Sequence, residues 1–304
     1  MGFVKPKTMG YFRFLFSLPV ALFMAPGGVK AEPTPWKPGV SWKDLSYESL
    51  KVLHDAGVAS IEVSVAAVMT TPAPQREEKC RQIVADAQRA GVALWSGHVP
   101  FGGKWDISQT DAAAREKALT GIREALDVCA RLGLRKAVIH ASAEPIKPEE
   151  RAGRLAVARE SLRTLTPEFA KHGIQLAVED LPRTCLGNTS EEMLGLIQGI
   201  EGLGVCLDTN HLLSEKTEEF AARLGPHIVT LHVSDYDGLD ERHWMAGEGI
   251  IDWQAVAAAL RKANYQGPFL FETSKHKDGT PVKLPEMVDF VRGITADLTG
   301  SPPK

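Results

Sequence analysis

Six apolar runs in succession end on a side chain able to bind a metal ion or carry a proton. They are VALWSGHV with His98, RKAVIHAS with His140, IQLAVED with Glu179, GVCLDTN with Asp208, HIVTLHVSD with His232 and PFLFETS with Glu272. Asp208 is followed three places on by His211. Taken alone, that pair reads as a helix N-cap and a polar loop residue. Six such endings in order do not. Carboxylates that converge in a partly buried site repel one another unless protons or a cation neutralise them. Glu179, Asp208, Glu272 and His232 together form a mixed oxygen and nitrogen shell for one divalent ion. That shell suits Mn2+ best, with Mg2+, Co2+ or Zn2+ also admissible. A carbonyl oxygen polarised by the ion makes the adjacent C–H acidic and gives an enediolate. Carboxylates that converge there can then remove and return the proton.

For this chemistry the six runs must bring their ends to one place. The runs are mostly continuous rather than alternating, as in parallel strands buried on both faces. KPGVSW and SIEVSV precede them in the same style, giving eight expected strands. Between them lie helix-length amphipathic segments. Leu119, Ile122, Leu126 and Cys129 share one stripe, as do Leu155, Ala158, Leu162, Leu165 and Phe169. Pro167 is expected to kink the second helix or restart it at Thr166. HDAG, QRAG, ARLG and AKHG each end a helix in glycine, the left-handed cap residue. Eight such units fit the ~250 residues of a closed barrel. An open doubly wound sheet would need a glycine-rich phosphate loop after an early strand, and SVAAVMTTPAPQ is not one. The expected fold is therefore α/β: a single-domain (β/α)8 TIM barrel over 32–304, with every strand end on one rim.

Residues 1–31 read as a signal peptide. Lys5, Lys7 and Arg13 precede the short apolar run FLFSLPVALFMA, and Val29 and Ala31 stand where a signal peptidase takes small residues. The run is too short to cross a bilayer core of roughly 30 Å. The protein is thus expected to be exported, periplasmic or secreted, with no membrane contact once the leader is cut. A net charge of -3 with no basic stretch argues against nucleic acid as a partner. Cys80, Cys129, Cys185 and Cys206 show no paired spacing and are expected as buried free thiols.

AVEDLP, CLDTNH, TLHVSDYDG, HWMAGEGIIDW and LFETS resemble, in order, the motifs of the xylose-isomerase-like barrel superfamily, in its sugar isomerase and epimerase branch. Endonuclease-type barrels share that superfamily. The resemblance spans essentially all of 32–304. It implies a small sugar as partner and one divalent ion on Glu179, Asp208, His232 and Glu272. It also implies proton transfer by the two glutamates and a substrate contact at His211. His98 and His140 read either as hydrogen-bond partners of the ligands or as substrate contacts. His243, opening a glycine-containing loop, is expected to touch substrate. Arg183 in DLPRTC either holds a substrate oxygen or lies exposed. Glu62 belongs to the site or to a buried ion pair. Trp95, Phe101, Trp105 and Trp244 are candidate apolar walls. Whether copies of the chain associate is left open.

The expected activity is epimerisation or isomerisation of an unphosphorylated or oxidised sugar, since sugar phosphates are scarce outside the cytoplasm. A lyase acting on a keto-glycoside would share the enolate. An endonuclease IV-like zinc phosphodiesterase would use His98, His140, His211 and the Glu241 to His243 segment as further ligands. A non-catalytic sugar-binding barrel would have no use for two bases. The export reading has a direct check. Residues 1–31 fused to a reporter should carry it out of the cytoplasm, with the mature chain beginning near Glu32. A cytoplasmic protein that keeps Met1 would exclude export.

Overall fold

The computed structural model describes residues 1–2 and 36–299, so the leader expected over 1–31 lies outside the described residues. Eight parallel strands alternate with helices within the unit Thr34–Lys304. The strands are β1 (Pro38–Trp42), β2 (Ser60–Ser64), β3 (Ala93–His98), β4 (Lys136–His140), β5 (Gln175–Glu179), β6 (Gly204–Asp208), β7 (Ile228–His232) and β8 (Phe269–Phe271). The helices are α1 (Tyr47–Asp55), the short α2 (Val65–Met69), α3 (Ala73–Ala90), α4 (Ala112–Arg131), α5 (Pro148–Ala170), α6 (Ser190–Ile197), α7 (Thr217–Leu224), α8 (Trp253–Lys262) and α9 (Leu284–Thr299). Every expected strand lies where the apolar runs put it.

Strands β1 to β7 pair in sequence order, and β1 also pairs with β8. Between β7 and β8 the seam is narrower. Val233 N donates to Leu270 O at 2.8 Å and Glu272 N to Val233 O at 3.0 Å. These bonds bring the two ends of the sheet together into a nearly closed (β/α)8 barrel. A closed ring leaves little unpaired edge, which is the stable solution for a parallel sheet covered by helices.

The register then does the positioning. His140 lies beside Glu179 and Asp208 beside His232 across adjacent strands. Two residues below them, Val138, Ala177 and Cys206 form a small apolar cluster inside the barrel. Side chains alternate across a strand, so this cluster and the polar ends above it share the inner face. The outer face carries Ile139, Val178, Val205, Leu207 and Leu231, packed with the apolar stripes of the helices. All four cysteines are buried free thiols, as expected. No helix among the described residues is long and apolar enough to cross a membrane.

The expected helix caps are present: Gly57, Gly91, Gly133 and Gly173 all take left-handed backbone, with φ of 93°, 77°, 66° and 71°. The expected restart at Thr166 is not. Helix α5 runs through it without interruption. Proline's φ suits a helix, and its cost there is the missing bond to the carbonyl of Arg163 and crowding against that turn. Buried Leu162, Leu165 and Phe169 hold both halves of α5 against the core, and packing outweighs the local penalty. Pro167 itself is exposed. Pro167→Ala is therefore expected to stabilise the protein by about 1 kcal/mol by restoring a helix hydrogen bond. Denaturant unfolding checks this, and a loss of stability would show that proline's stiffening of the unfolded chain dominates.

Candidate functional site at the carboxyl rim

His232 is the centre of the arrangement. Its ring is fully buried, with Nε2 2.9 Å from Glu62 Oε1 and Nδ1 3.1 Å from Glu179 Oε1 and 2.9 Å from Glu272 Oε2. Asp208 Oδ2 lies 3.7 Å from the same Nδ1. A carboxylate only accepts, so Nε2 carries a hydrogen and donates it to Glu62. Nδ1 then faces acceptors alone. It must be protonated, or its lone pair must meet a cation.

The donor set fits a divalent cation. One oxygen or nitrogen from each of Glu179, Asp208, His232 and Glu272 lies within 4.8 Å of all the others. Asp208 Oδ1 accepts from Asn210 N at 2.7 Å, the local turn bond a capping acid makes. Its Oδ2 is buried and has no hydrogen-bond partner. A buried carboxylate oxygen left bare is costly, and a hard cation beside it removes that cost.

Protein charges alone set the groups against their ordinary ranges. Burial raises the Glu179 carboxyl, but the imidazoles of His232 and His140 outweigh it and hold it well below the carboxylate range. Glu272 falls to about 2, because the His232 imidazole overcomes its desolvation. Burial opposes charge on His232, yet the surrounding acids hold its pKa well above the usual value. His98 behaves likewise. Burial disfavours its cation, but the hydrogen bond and charge of Glu179 lift it to about 9. His140 goes the other way, lowered chiefly by burial.

His98 Nε2 and His140 Nε2 both lie 3.0 Å from Glu179 Oε2. They and Glu179 form a second group of potential ligands that shares the glutamate. Phe101, 60% exposed, stacks on His140 with ring centres 4.6 Å apart and meets His98 edge-on. It is the aromatic that stands at the mouth. Trp95 instead bonds Thr230 Oγ1 at 3.1 Å and lines a cavity of about 260 Å³ with Trp36 and Pro268 at the amino ends of the strands. Trp105 packs on Gly121 of α4, and Trp244 lies under the Lys277 ammonium.

The loops place the remaining candidates. His211 donates from Nδ1 to the Asp180 carbonyl at 2.7 Å, and its Nε2 lies 3.5 Å from Asp208 Oδ2. His243 sits beside the Glu272 main chain, its Nδ1 3.0 Å from that carbonyl. Asn210 Oδ1 accepts from the backbone N–H groups of Arg242 and His243, which fixes that loop to β6. The Arg183 guanidinium is occupied by Glu144, Asp240 and Glu241 rather than turned towards the ligand group.

Three buried acids were not assigned from sequence, or were left open there. Glu62 sits between Ser96 Oγ (2.8 Å) and His232, orienting the ring as outer partners of metal-bound histidines do. Asp180 Oδ1 accepts from Asp208 N at 2.7 Å, and burial pushes its carboxyl well above the usual range. Asp235 gathers the loop after β7, accepting from Tyr236 N, Gly247 N and Trp253 Nε1 at 2.9 Å each. A side chain at Gly249 would meet Tyr236 O at 2.1 Å, so that close approach requires glycine. The signal for Glu62 was an acid inside an apolar strand, and for Asp180 and Asp235 an acid just beyond one.

The xylose isomerase-like TIM barrel family matches over residues 50–294. A ketose 3-epimerase of Arthrobacter globiformis is 26% identical over 199 residues, covering 63% of this chain and 67% of that protein. A probable endonuclease 4 of Persephonella marina is 23% identical over 260 residues, 77% of this chain and 90% of that one. The structure of a 3-keto-D-glucoside 4-epimerase from E. coli superposes with a TM-score of 0.69 at 18% identity, covering 85% of this chain and 99% of that one, which is a likeness of fold.

The site's electrostatics give a measurable consequence. Protons on His232 compete with a metal ion, and its raised pKa carries that competition to high pH. Affinity for Mn2+ should therefore rise with pH and fall on acidification, since binding must expel the proton. Glu62→Gln should weaken affinity by about 10- to 100-fold without adding or removing a ligand. Calorimetric titration at several pH values tests both. Affinity independent of pH would mean that His232 Nδ1 is not a ligand.

Proposed function

The chain belongs to the xylose isomerase-like TIM barrel family, and from that membership and the site's geometry we propose that it is a divalent-metal-dependent sugar epimerase or isomerase. The observation that carries the proposal is the meeting of two glutamates, Glu179 and Glu272, on one imidazole nitrogen beside the bare oxygen of Asp208. The ketose 3-epimerase among its relatives supports the same class.

A cation held by Glu179, Asp208, His232 and Glu272 would supply positive charge beside a ketose carbonyl and stabilise the enediolate left by proton loss. The protein's own residues do the rest. The Glu272 side chain is 37% exposed and Glu179 only 2%, so one carboxylate faces the mouth and the other the interior. One of the two takes the proton from one side of the carbon, and the other returns one from the opposite side. His98 and His140 hold Glu179 Oε2 so that its remaining oxygen keeps its direction. His211 and His243 bind substrate oxygens at the rim, and Phe101 offers an apolar face to the sugar. The leader read over 1–31 makes an exported enzyme and an unphosphorylated or oxidised sugar part of the proposal.

One observation favours a second reading. The group of His98, His140 and Glu179 gives a multi-metal hydrolase a further ion site, and a probable endonuclease 4 is among the relatives. The net charge of -3 opposes binding to a DNA backbone.

Glu179→Gln and Glu272→Gln should each keep the metal ion, though bound more weakly, and lose turnover by ~10²–10⁴-fold. Asp208→Asn should instead act through metal affinity and be partly rescued by added ion. Wild-type protein in D2O should place solvent deuterium into a responsive sugar from a panel of ketoses and keto-glycosides. Near-normal turnover in both glutamine variants at full metal occupancy would end the two-base mechanism. Three zinc ions per chain with cleavage at abasic DNA would replace the epimerase reading, and elimination from a keto-glycoside would convert it to a lyase.

A further inference from the structure

Three loops of the carboxyl rim meet on one guanidinium. Arg183, after β5, bonds Glu144 from the loop after β4, with Nε to Oε1 at 2.9 Å and Nη2 to Oε1 at 2.6 Å. Its Nη1 reaches Asp240 at 3.0 Å and also Glu241, both from the loop after β7. The backbone at Arg183 is left-handed, φ 51°, a conformation an arginine keeps only where its surroundings impose it. Here they do. Asn188 Nδ2 bonds the Arg183 carbonyl at 2.6 Å, and Arg151 grips the carbonyls of Thr184 and Cys185.

Glu241 turns its other oxygen inwards. Oε1 lies 3.1 Å from His211 Nε2, while Nδ1 of that ring is fixed on the Asp180 carbonyl. The imidazole is thus clamped from both edges, by the loop after β7 on one side and the end of β5 on the other. Without Glu241 the nearest acceptor for Nε2 is Asp208 Oδ2 at 3.5 Å, the oxygen a metal ion needs.

We propose that Glu241 is a positioning residue: it holds the His211 ring towards substrate and away from Asp208, and Arg183 locks Glu241 by bridging it to Glu144. The clamp rests on the epimerase reading for its effect on sugar, but not for its effect on the ring. The Arg183 pairing is between charged groups, and charge-assisted bonds of this kind define geometry as well as energy. Removing Glu241 leaves the ring with one partner instead of two.

Glu241→Ala should raise KM for D-fructose, used as a probe ketose, by about 10-fold with kcat within about 3-fold of wild type, the effect expected of one lost charge-assisted bond. Glu241→Gln, which keeps an acceptor, should restore most of that loss. Arg183→Ala should raise KM by about 3-fold alone and add nothing in the Glu241→Ala background, because both act through one clamp. The ring itself gives a readout free of turnover. In 13C-labelled protein the His211 Cε1–H signal, assigned by its absence in His211→Ala, should be single and sharp. It should broaden or split in Glu241→Ala and recover in Glu241→Gln. An unmoved ring signal in Glu241→Ala of native thermal stability overturns the proposal. So does loss of one bound metal ion per chain in that variant, which would make Glu241 a ligand. A wild type that neither converts nor binds the sugar would instead remove the epimerase reading, with the ring signal still deciding the clamp.

Discussion

His232 has acidic oxygens on both of its nitrogens and no water-exposed surface, and that single ring determines what surrounds it. Glu62 takes the hydrogen on Nε2, which aims Nδ1 at Glu179 and Glu272. From there the charges must balance. Two carboxylates, one buried and one at the mouth, repel a lone pair and each other, and only a proton or a metal ion relieves this. The lowered carboxyls and the raised imidazoles are one balance seen from its two sides. A divalent ion relieves it more fully than a proton, because it can also reach Asp208 Oδ2, which accepts no hydrogen bond.

The barrel makes this concentration of charge tolerable. Parallel pairing sets His140 level with Glu179 and Asp208 level with His232, so each acid has a basic neighbour one strand away. Below that level the inner face turns apolar at Val138, Ala177 and Cys206. The charged groups therefore occupy a layer bounded beneath by packed side chains and open above to the rim. The outer faces of the same strands contribute the main apolar core, and that burial offsets the cost of dehydrating the site. Stability and chemistry are thus segregated by the two-residue period of the strands.

Above the layer, the loops are tied by side chains rather than by ladders. Asp235 gathers the loop after β7, Asn210 joins it to β6, and Arg183 joins it to the loops after β4 and β5. Each tie spans many residues of sequence and few ångströms of space. Arg183 belongs to this bracing, since its donors are taken by carboxylates of neighbouring loops.

What the sequence determined by itself was whatever depends on local pattern. Continuous apolar runs and glycine caps marked eight strands and the helices between them, because burial and left-handed turns leave periodic and compositional traces. The convergence of four candidate ligands was visible for the same reason: Glu179, Asp208, His232 and Glu272 each end such a run, and in a barrel all ends face one rim. The family motifs ran through the same residues. Tertiary structure decided what depends on facing and distance. Glu62 could be placed under His232 only once the register of β2, β3 and β7 was known, since one residue of slip would turn it outwards. Trp95 stands where the register of β3 shifts against β2, and its bond to Thr230 Oγ1 is a facing that strict alternation along the strand does not give. Pro167 stayed helical because the packing of Leu162, Leu165 and Phe169 outweighs a propensity that acts within one turn. Arg183 and Glu241 are 58 positions apart, and their pairing follows from the closing of the ring, which no local pattern records.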